Sequence, residues 1–323
     1  MIEWLRDSDP ALRWQVERDL AGEPAEVWQA SRAKIATEGF GARLLARQDP
    51  DGQWAGGAFF PADFRDSGES AQPWTATTWT LNTLREWGLD ANVLRERRTP
   101  QLLAENCRWE YENLPYWAGE VDCCINGWTL ANGVWLGVDV DGIADWFVEH
   151  RLPDGGWNCD WIEGATRSSF HSTLNSLIGL LAYDTATGGT EATRAARRSG
   201  EEYLLRRKLF RRLSTGDVVG EWATRFGYPF RWTYNVLRAA EYFRTASLFA
   251  GTPPDSRMAE AIELIAAARQ PDGSWPQAGR PEGRVWFEVD VPVGSASKWL
   301  TLYGSRVLAW WEAGTADQAS TQS

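Results

Sequence analysis

Three short runs in this chain share one pattern: RQDPDGQW ending at Trp54, RLPDGGW ending at Trp157 and RQPDGSW ending at Trp275. Each follows a stretch with helical periodicity. Proline presets φ, aspartate can bond the backbone just downstream, and glycine accepts the positive φ that stops a helix. The tryptophan is then placed to pack back on the helix just ended. A stop signal of this kind, recurring along the chain, makes the protein a series of like units. The spacing from Asp51 to Asp154, and from Asp154 to Asp272, leaves room for two units of roughly 50 residues in each interval. Degenerate turns are expected near Asn106-Cys107-Arg108-Trp109 and between Arg206 and Thr215.

Two kinds of helical segment alternate between the turns. Gly39–Gln48, Ile143–Arg151 and Met258–Gln270 are amphipathic with charged faces. The segments Trp74–Trp87, Ile125–Gly137, Ser169–Tyr183, Tyr228–Phe243 and Ser297–Trp311 have few charges and many aromatic and small polar residues. The first class suits an outer layer and the second an inner one. The expected fold is therefore all-α: an α/α toroid of five to six helical hairpins around an aromatic-lined central cavity. It would span residues 37–312, with helices in 1–36 belonging to the same ring and a disordered tail over 313–323. Nothing in the chain reads as an interdomain linker.

Tryptophan is heavily used, with 21 residues in 323. Its rings supply rigid area with one N–H handle, serving as mortar, as a stacking platform or as a cation–π surface. On the ring reading Trp74, Trp79, Trp128, Trp232 and Trp299 line or floor the cavity, whereas Trp157, a turn residue, is expected to be packing. A net charge of −11 argues against a phosphate-tracking nucleic-acid binder. The charged N-terminus lacks the apolar core of a secretory signal, and no apolar run is long enough to span a bilayer, so a cytoplasmic protein without a transmembrane segment is expected. The four cysteines, two of them adjacent, make a poor disulfide framework.

The Pro-Asp-Gly-x-Trp turns followed by aromatic-rich segments resemble the squalene cyclase and protein prenyltransferase β-subunit superfamily, over about residues 35–312. That resemblance implies an isoprenoid-handling enzyme that transfers or cyclises an apolar chain. In the prenyltransferase branch zinc is held by an Asp and a Cys two residues apart at the start of one inner helix and by a His on a later one. Asp122 and Cys124 resemble the first pair and His171 the third ligand, with Cys159 as an additional candidate that would close the site. An open fourth position would let the metal activate a substrate thiol or water. The bland reading is also open: the cysteines as small buried residues and His171 as a core histidine.

In the cyclase branch an Asp-x-Asp-Asp motif supplies the initiating proton. The nearest match is Asp139-Val140-Asp141-Gly142, with glycine in the last place and the run in a connecting loop, so a metal-free cyclase using Asp139 or Asp141 is an alternative. A diphosphate on the substrate would call for basic groups at the cavity, and Arg225 and Arg231, beside Trp232 and Tyr234, are the better candidates. The basic run Arg206–Arg212 reads as a solvated helix end. A lipid- or peptide-binding ring without catalysis and a carbohydrate-active ring are the remaining alternatives, and no carboxylate pair here has a spacing that demands the latter.

Overall fold

The computed structural model describes residues 1–321, and it is mostly helical. The first half contains α1 (Ile2–Arg6), α2 (Pro10–Asp19), α3 (Ala25–Ala33), α4 (Gly39–Leu45), α5 (Phe64–Ser67), α6 (Thr77–Glu86), α7 (Ala91–Glu96), α8 (Thr99–Asn106) and α9 (Cys123–Leu136). The second half continues with α10 (Asp141–Glu149), α11 (Phe170–Thr187), α12 (Glu191–Leu205), α13 (Val236–Ala250), α14 (Ala259–Ala267) and α15 (Lys298–Thr321). Two short strands, β1 (Trp275–Pro276) and β2 (Ala296–Ser297), pair antiparallel ahead of α15.

The three signature turns are built alike. In each, the glycine (Gly52, Gly155 or Gly273) takes a positive φ, of 89°, 110° and 90°, and donates its N–H to the residue before the proline. The tryptophan ring is buried and its Nε1 donates to the carbonyl ten residues back: Trp54 to Leu44 at 2.8 Å, Trp157 to Phe147 at 3.0 Å, Trp275 to Ile265 at 2.9 Å. These carbonyls lie in the last turns of α4, α10 and α14, where intrahelical partners run out. Each tryptophan's backbone N–H then donates to a buried threonine hydroxyl on a later helix, Thr77, Thr173 or Thr301, at 3.1, 3.1 and 3.0 Å. One residue thus ends its own helix and fastens the turn to a later one. Asp51 and Asp272 bond the N–H two residues on, as expected, whereas Asp154 accepts from Ser168 instead.

The two degenerate turns share a different geometry. Arg108 pairs with Pro115 and Arg211 with Val218, with Trp109 N–H on the Leu114 carbonyl and Arg212 N–H on that of Asp217, at 2.9 and 2.8 Å. The division into two helix classes also holds. Every residue of α9 from Cys123 to Gly133 is buried, and α11 is buried over most of its length, while α10 buries Ile143, Ala144 and Phe147. The first 36 residues pack on the rest: Trp14 Nε1 donates to the Trp87 carbonyl, and Arg306 of α15 reaches Gln15 and Asp19 of α2.

Two segments differ from expectation. Tyr228–Phe243 is helical only from Val236, where Asn235 caps the helix by accepting from Arg238 N at 2.9 Å. Before it, Pro229 lacks an N–H and Arg231 adopts a φ of 52°, so this stretch is an irregular lead-in. At the other end, α15 runs into the segment expected to be a disordered tail and continues to Thr321; positions 322 and 323 lie outside the described residues.

Helices α9 and α11 pack backbone against backbone. A Cβ on Gly179 would fall 2.5 Å from the Gly127 carbonyl oxygen, and one on Gly127 would fall 2.4 Å from that of Asn175. Gly179→Ala should therefore lower the unfolding free energy by about 1–3 kcal/mol, the usual range for overpacking a tight contact. Gly142→Ala, in the open first turn of α10 with nothing within 4 Å of the new carbon, should be neutral or mildly stabilising. Urea unfolding followed by tryptophan fluorescence checks both, and equal effects would refute the tight crossing.

Candidate functional site

Two pockets lie on either side of Trp128, which lines both. The larger, about 470 Å³, is walled by Trp74, Trp79, Trp87, Tyr228, Phe230 and Tyr303 among others. Trp79 packs on Trp74 and on Trp128 with ring centroids 4.7 Å apart in each case. Three arginines enter this aromatic wall: Arg85, Arg231 and Arg238. Burial lowers each guanidinium to about 10, which leaves all three charged at neutral pH. Among the described residues none of them forms an ion pair. Glu86 attracts all three at a distance and accepts the Tyr303 hydroxyl at 2.8 Å, while Glu241 is taken by Arg306 and Arg244. The pocket therefore has an excess of positive charge inside an apolar shell, a pattern suited to an amphiphilic anion.

The second pocket, about 400 Å³, is lined by Asp122, Cys124, Cys159, His171 and Trp232, among others. Cys123 and Cys124 are the first two residues of α9, and Asp122 is its N-cap, with Oδ1 accepting from Cys124 N at 2.7 Å and Ile125 N at 3.2 Å. Cys159 comes from the short helix Cys159–Glu163 just after Trp157. Its N–H donates to Ser172 Oγ at 3.1 Å, so the same turn that is latched by Thr173 carries Cys159 to the start of α9. Its sulfur lies 3.3 Å from Cys123 Sγ, 3.2 Å from Cys124 Sγ and 2.9 Å from Asp122 Oδ1.

The four side chains Asp122, Cys123, Cys124 and Cys159 have ligand atoms within 4.8 Å of one another and could hold a metal ion. The donors fit a tetrahedral thiophilic ion: bonds of about 2.3 Å make a tetrahedron with edges of about 3.8 Å, within an ångström of the spacings above. A helix N-terminus also favours thiolates. As free thiols all three are shifted upward, Cys123 by burial and Cys124 first by its bond with the Cys123 thiol. For Cys159 the bond with Cys123 lowers the value, and the bond with Cys124 and burial outweigh it. Such thiols are poor nucleophiles until a cation takes the place of their protons.

The sequence-derived ligand set is thus rearranged. Asp122 and Cys124 are together, and Cys159 joins them, but the cluster is completed by Cys123 and does not contain His171. His171 lines the same pocket with its ring 4.5 Å from Trp222 and 5.4 Å from Trp232. Trp74, Trp79, Trp128 and Arg231 face the larger pocket, and Arg231 lies over the Trp74 ring at 5.2 Å. Arg225 is exposed and bonds the Ala278 carbonyl, Tyr234 is buried with its hydroxyl on Leu209, and both stand apart from the two pockets. Trp157 and Trp299 are packing residues, the latter stacked on Tyr228. Asp139 and Asp141 line neither pocket; Asp139 caps the Asp141 N–H, and Asp141 accepts from Tyr183. Sequence reading missed Arg85, Arg238 and Asn175. A lone arginine in Val236-Leu237-Arg238-Ala239 was the available signal for the second of these.

Burial, and then the charge of Arg238, lower the His171 pKa to about 4. The unfolded chain therefore takes up this proton first as the pH falls. Stability associated with the neutral imidazole should be complete above pH 6.5 and be lost as the pH drops toward about 4. With only two histidines in the chain, proton NMR titration resolves the question directly: one imidazole should stay neutral at pH 5.

No helix among the described residues is long and apolar enough to cross a membrane. No protein-family model and no curated protein sequence matches the chain.

Proposed function

We propose that the protein is an isoprenoid-handling enzyme of the prenyltransferase and terpene cyclase type, an α/α toroid working in the cytoplasm with zinc at its thiol cluster. The observation that carries this reading is the shared wall at Trp128: an aromatic pocket with unpaired arginines opens beside a cluster of three thiols and a carboxylate. The turn motif and its resemblance supply the substrate class.

In this reading Trp74, Trp79 and Trp128 hold the apolar chain, and their π faces favour positive charge developing on it. Arg231, Arg85 and Arg238 hold an anionic end such as a diphosphate, and the apolar walls exclude water from the reacting carbon. Cys123, Cys124 and Cys159 would be the firm metal ligands. Asp122 would be the yielding one, because a carboxylate oxygen is a harder ligand than a thiolate for a thiophilic ion, and its Oδ1 also caps two backbone N–H groups of α9. Zinc, when bound, would lower the pKa of a thiol or water taking the place of that carboxylate.

Purified protein should contain one zinc per chain by elemental analysis, lost in Cys124→Ser and in Cys159→Ser but retained in His171→Ala. Incubation with farnesyl or geranylgeranyl diphosphate should release diphosphate, and Trp79→Ala should slow that release by about 10-fold or more. Protein that takes up no thiophilic metal and releases no diphosphate would sink the reading.

A further inference from the structure

One amide bonds a residue of each pocket. Asn175, on α11, is fully buried, and every polar atom of its side chain is used. Its Nδ2 donates to the Trp232 carbonyl oxygen at 3.0 Å and to Cys124 Sγ at 3.4 Å, and its Oδ1 accepts from Arg238 Nη2 at 2.7 Å. These partners fix the orientation of the amide. A flipped group would set its oxygen against a carbonyl oxygen and a sulfur, and its N–H bonds against a guanidinium. Arg238 faces the aromatic pocket and Cys124 faces the thiol pocket, so the chain guanidinium, amide, sulfur crosses from one to the other without a gap. Tying α11 to the lead-in of α13 would need only the bond to Trp232. The contacts with the sulfur and the guanidinium ask for a further reason.

Electrostatics supplies it. A divalent ion held by three thiolates and one carboxylate forms a centre with a net double negative charge, close to the unpaired Arg238. The guanidinium pulls on the amide oxygen and so polarises the N–H that donates to Cys124, because hydrogen bonds in a chain strengthen one another in a low dielectric. An anion seated on Arg238 from the aromatic side draws on the same positive charge and weakens that polarisation. Hydrogen bonds to metal ligands from outside the coordination sphere are worth about 10–100-fold in metal affinity.

We propose that Asn175 is a positioning residue linking the two pockets, so that a metal in the thiol cluster and an anionic group on Arg238 weaken each other's binding through the Arg238–Asn175–Cys124 chain. The proposal rests on the metal reading above. Linkage makes the coupling reciprocal, and typical coupling is about 5–150-fold.

The test is a titration of the full-length protein with Co²⁺ alone, read by the sulfur-to-cobalt charge-transfer band. It is repeated with dodecyl phosphate, an amphiphilic anion, and with uncharged dodecanol. Cobalt affinity should fall about 5-fold or more in dodecyl phosphate and stay unchanged in dodecanol. Asn175→Leu should lose about 10–100-fold in affinity, move the band to lower energy because the sulfur has lost a donor, and no longer respond to dodecyl phosphate. Arg238→Gln should likewise stop responding, and it carries the test alone if the leucine variant does not fold. Cobalt affinity in the native protein that ignores dodecyl phosphate overturns the coupling. A response that persists in Arg238→Gln overturns it too, since chelation by free phosphate would give the same result. Absence of any charge-transfer band in the native protein would instead remove the metal reading itself, and this inference with it.

Discussion

Where α9 crosses α11, the backbones touch with no side chain between them, at Gly127 and Gly179. A single methyl group at either position would collide with a carbonyl oxygen of the other helix. Cys124 lies one turn before Gly127, and Ser172 and Asn175 lie before Gly179, so the contact also sets which groups of the two helices face each other. The sulfur of Cys124 is brought within 3.4 Å of Asn175 Nδ2, and Ser172 is placed to receive Cys159. Both the cluster and the link to the aromatic pocket inherit their geometry from this one crossing.

The Trp157 turn adds the remaining member. Its N–H is latched to Thr173 and its ring to the end of α10, which leaves the next residues no choice but to pass the N-terminus of α9. A motif whose evident role is to end a helix therefore also delivers a thiol. Trp54 and Trp275 are latched in the same way without a cysteine behind them, so the architecture is common to three turns and the thiol belongs to one.

The aromatic pocket shows the opposite economy. Burying three cations with no carboxylate in ion-pair contact costs stability, and chains under no other constraint pair such charges or replace them with apolar residues. The irregular lead-in at Arg231, with its left-handed backbone, is a second local cost in the same place. Departures from local rules tend to gather at functional sites, and here they gather on one wall.

The sequence by itself determined the repeating turns and the two classes of helix, because these follow from local chemistry: proline, aspartate and glycine act within a few residues, and periodicity reveals which face is buried. It also brought Asp122 and Cys124 together, since an N-cap and the first turn of a helix are neighbours on any fold. Only the tertiary structure decided the rest. That Cys159 joins the cluster and His171 does not depends on the latch to Thr173 and on the tilted contacts of His171 with Trp222 and Trp232, contacts between segments far apart in the chain. Arg225 and Arg231 look alike in sequence, yet one is exposed on the Ala278 carbonyl and the other lies over Trp74, contacts with segments far away in the chain. Asn175 could not be singled out from its neighbours, since a buried amide acquires meaning only from the three partners that surround it.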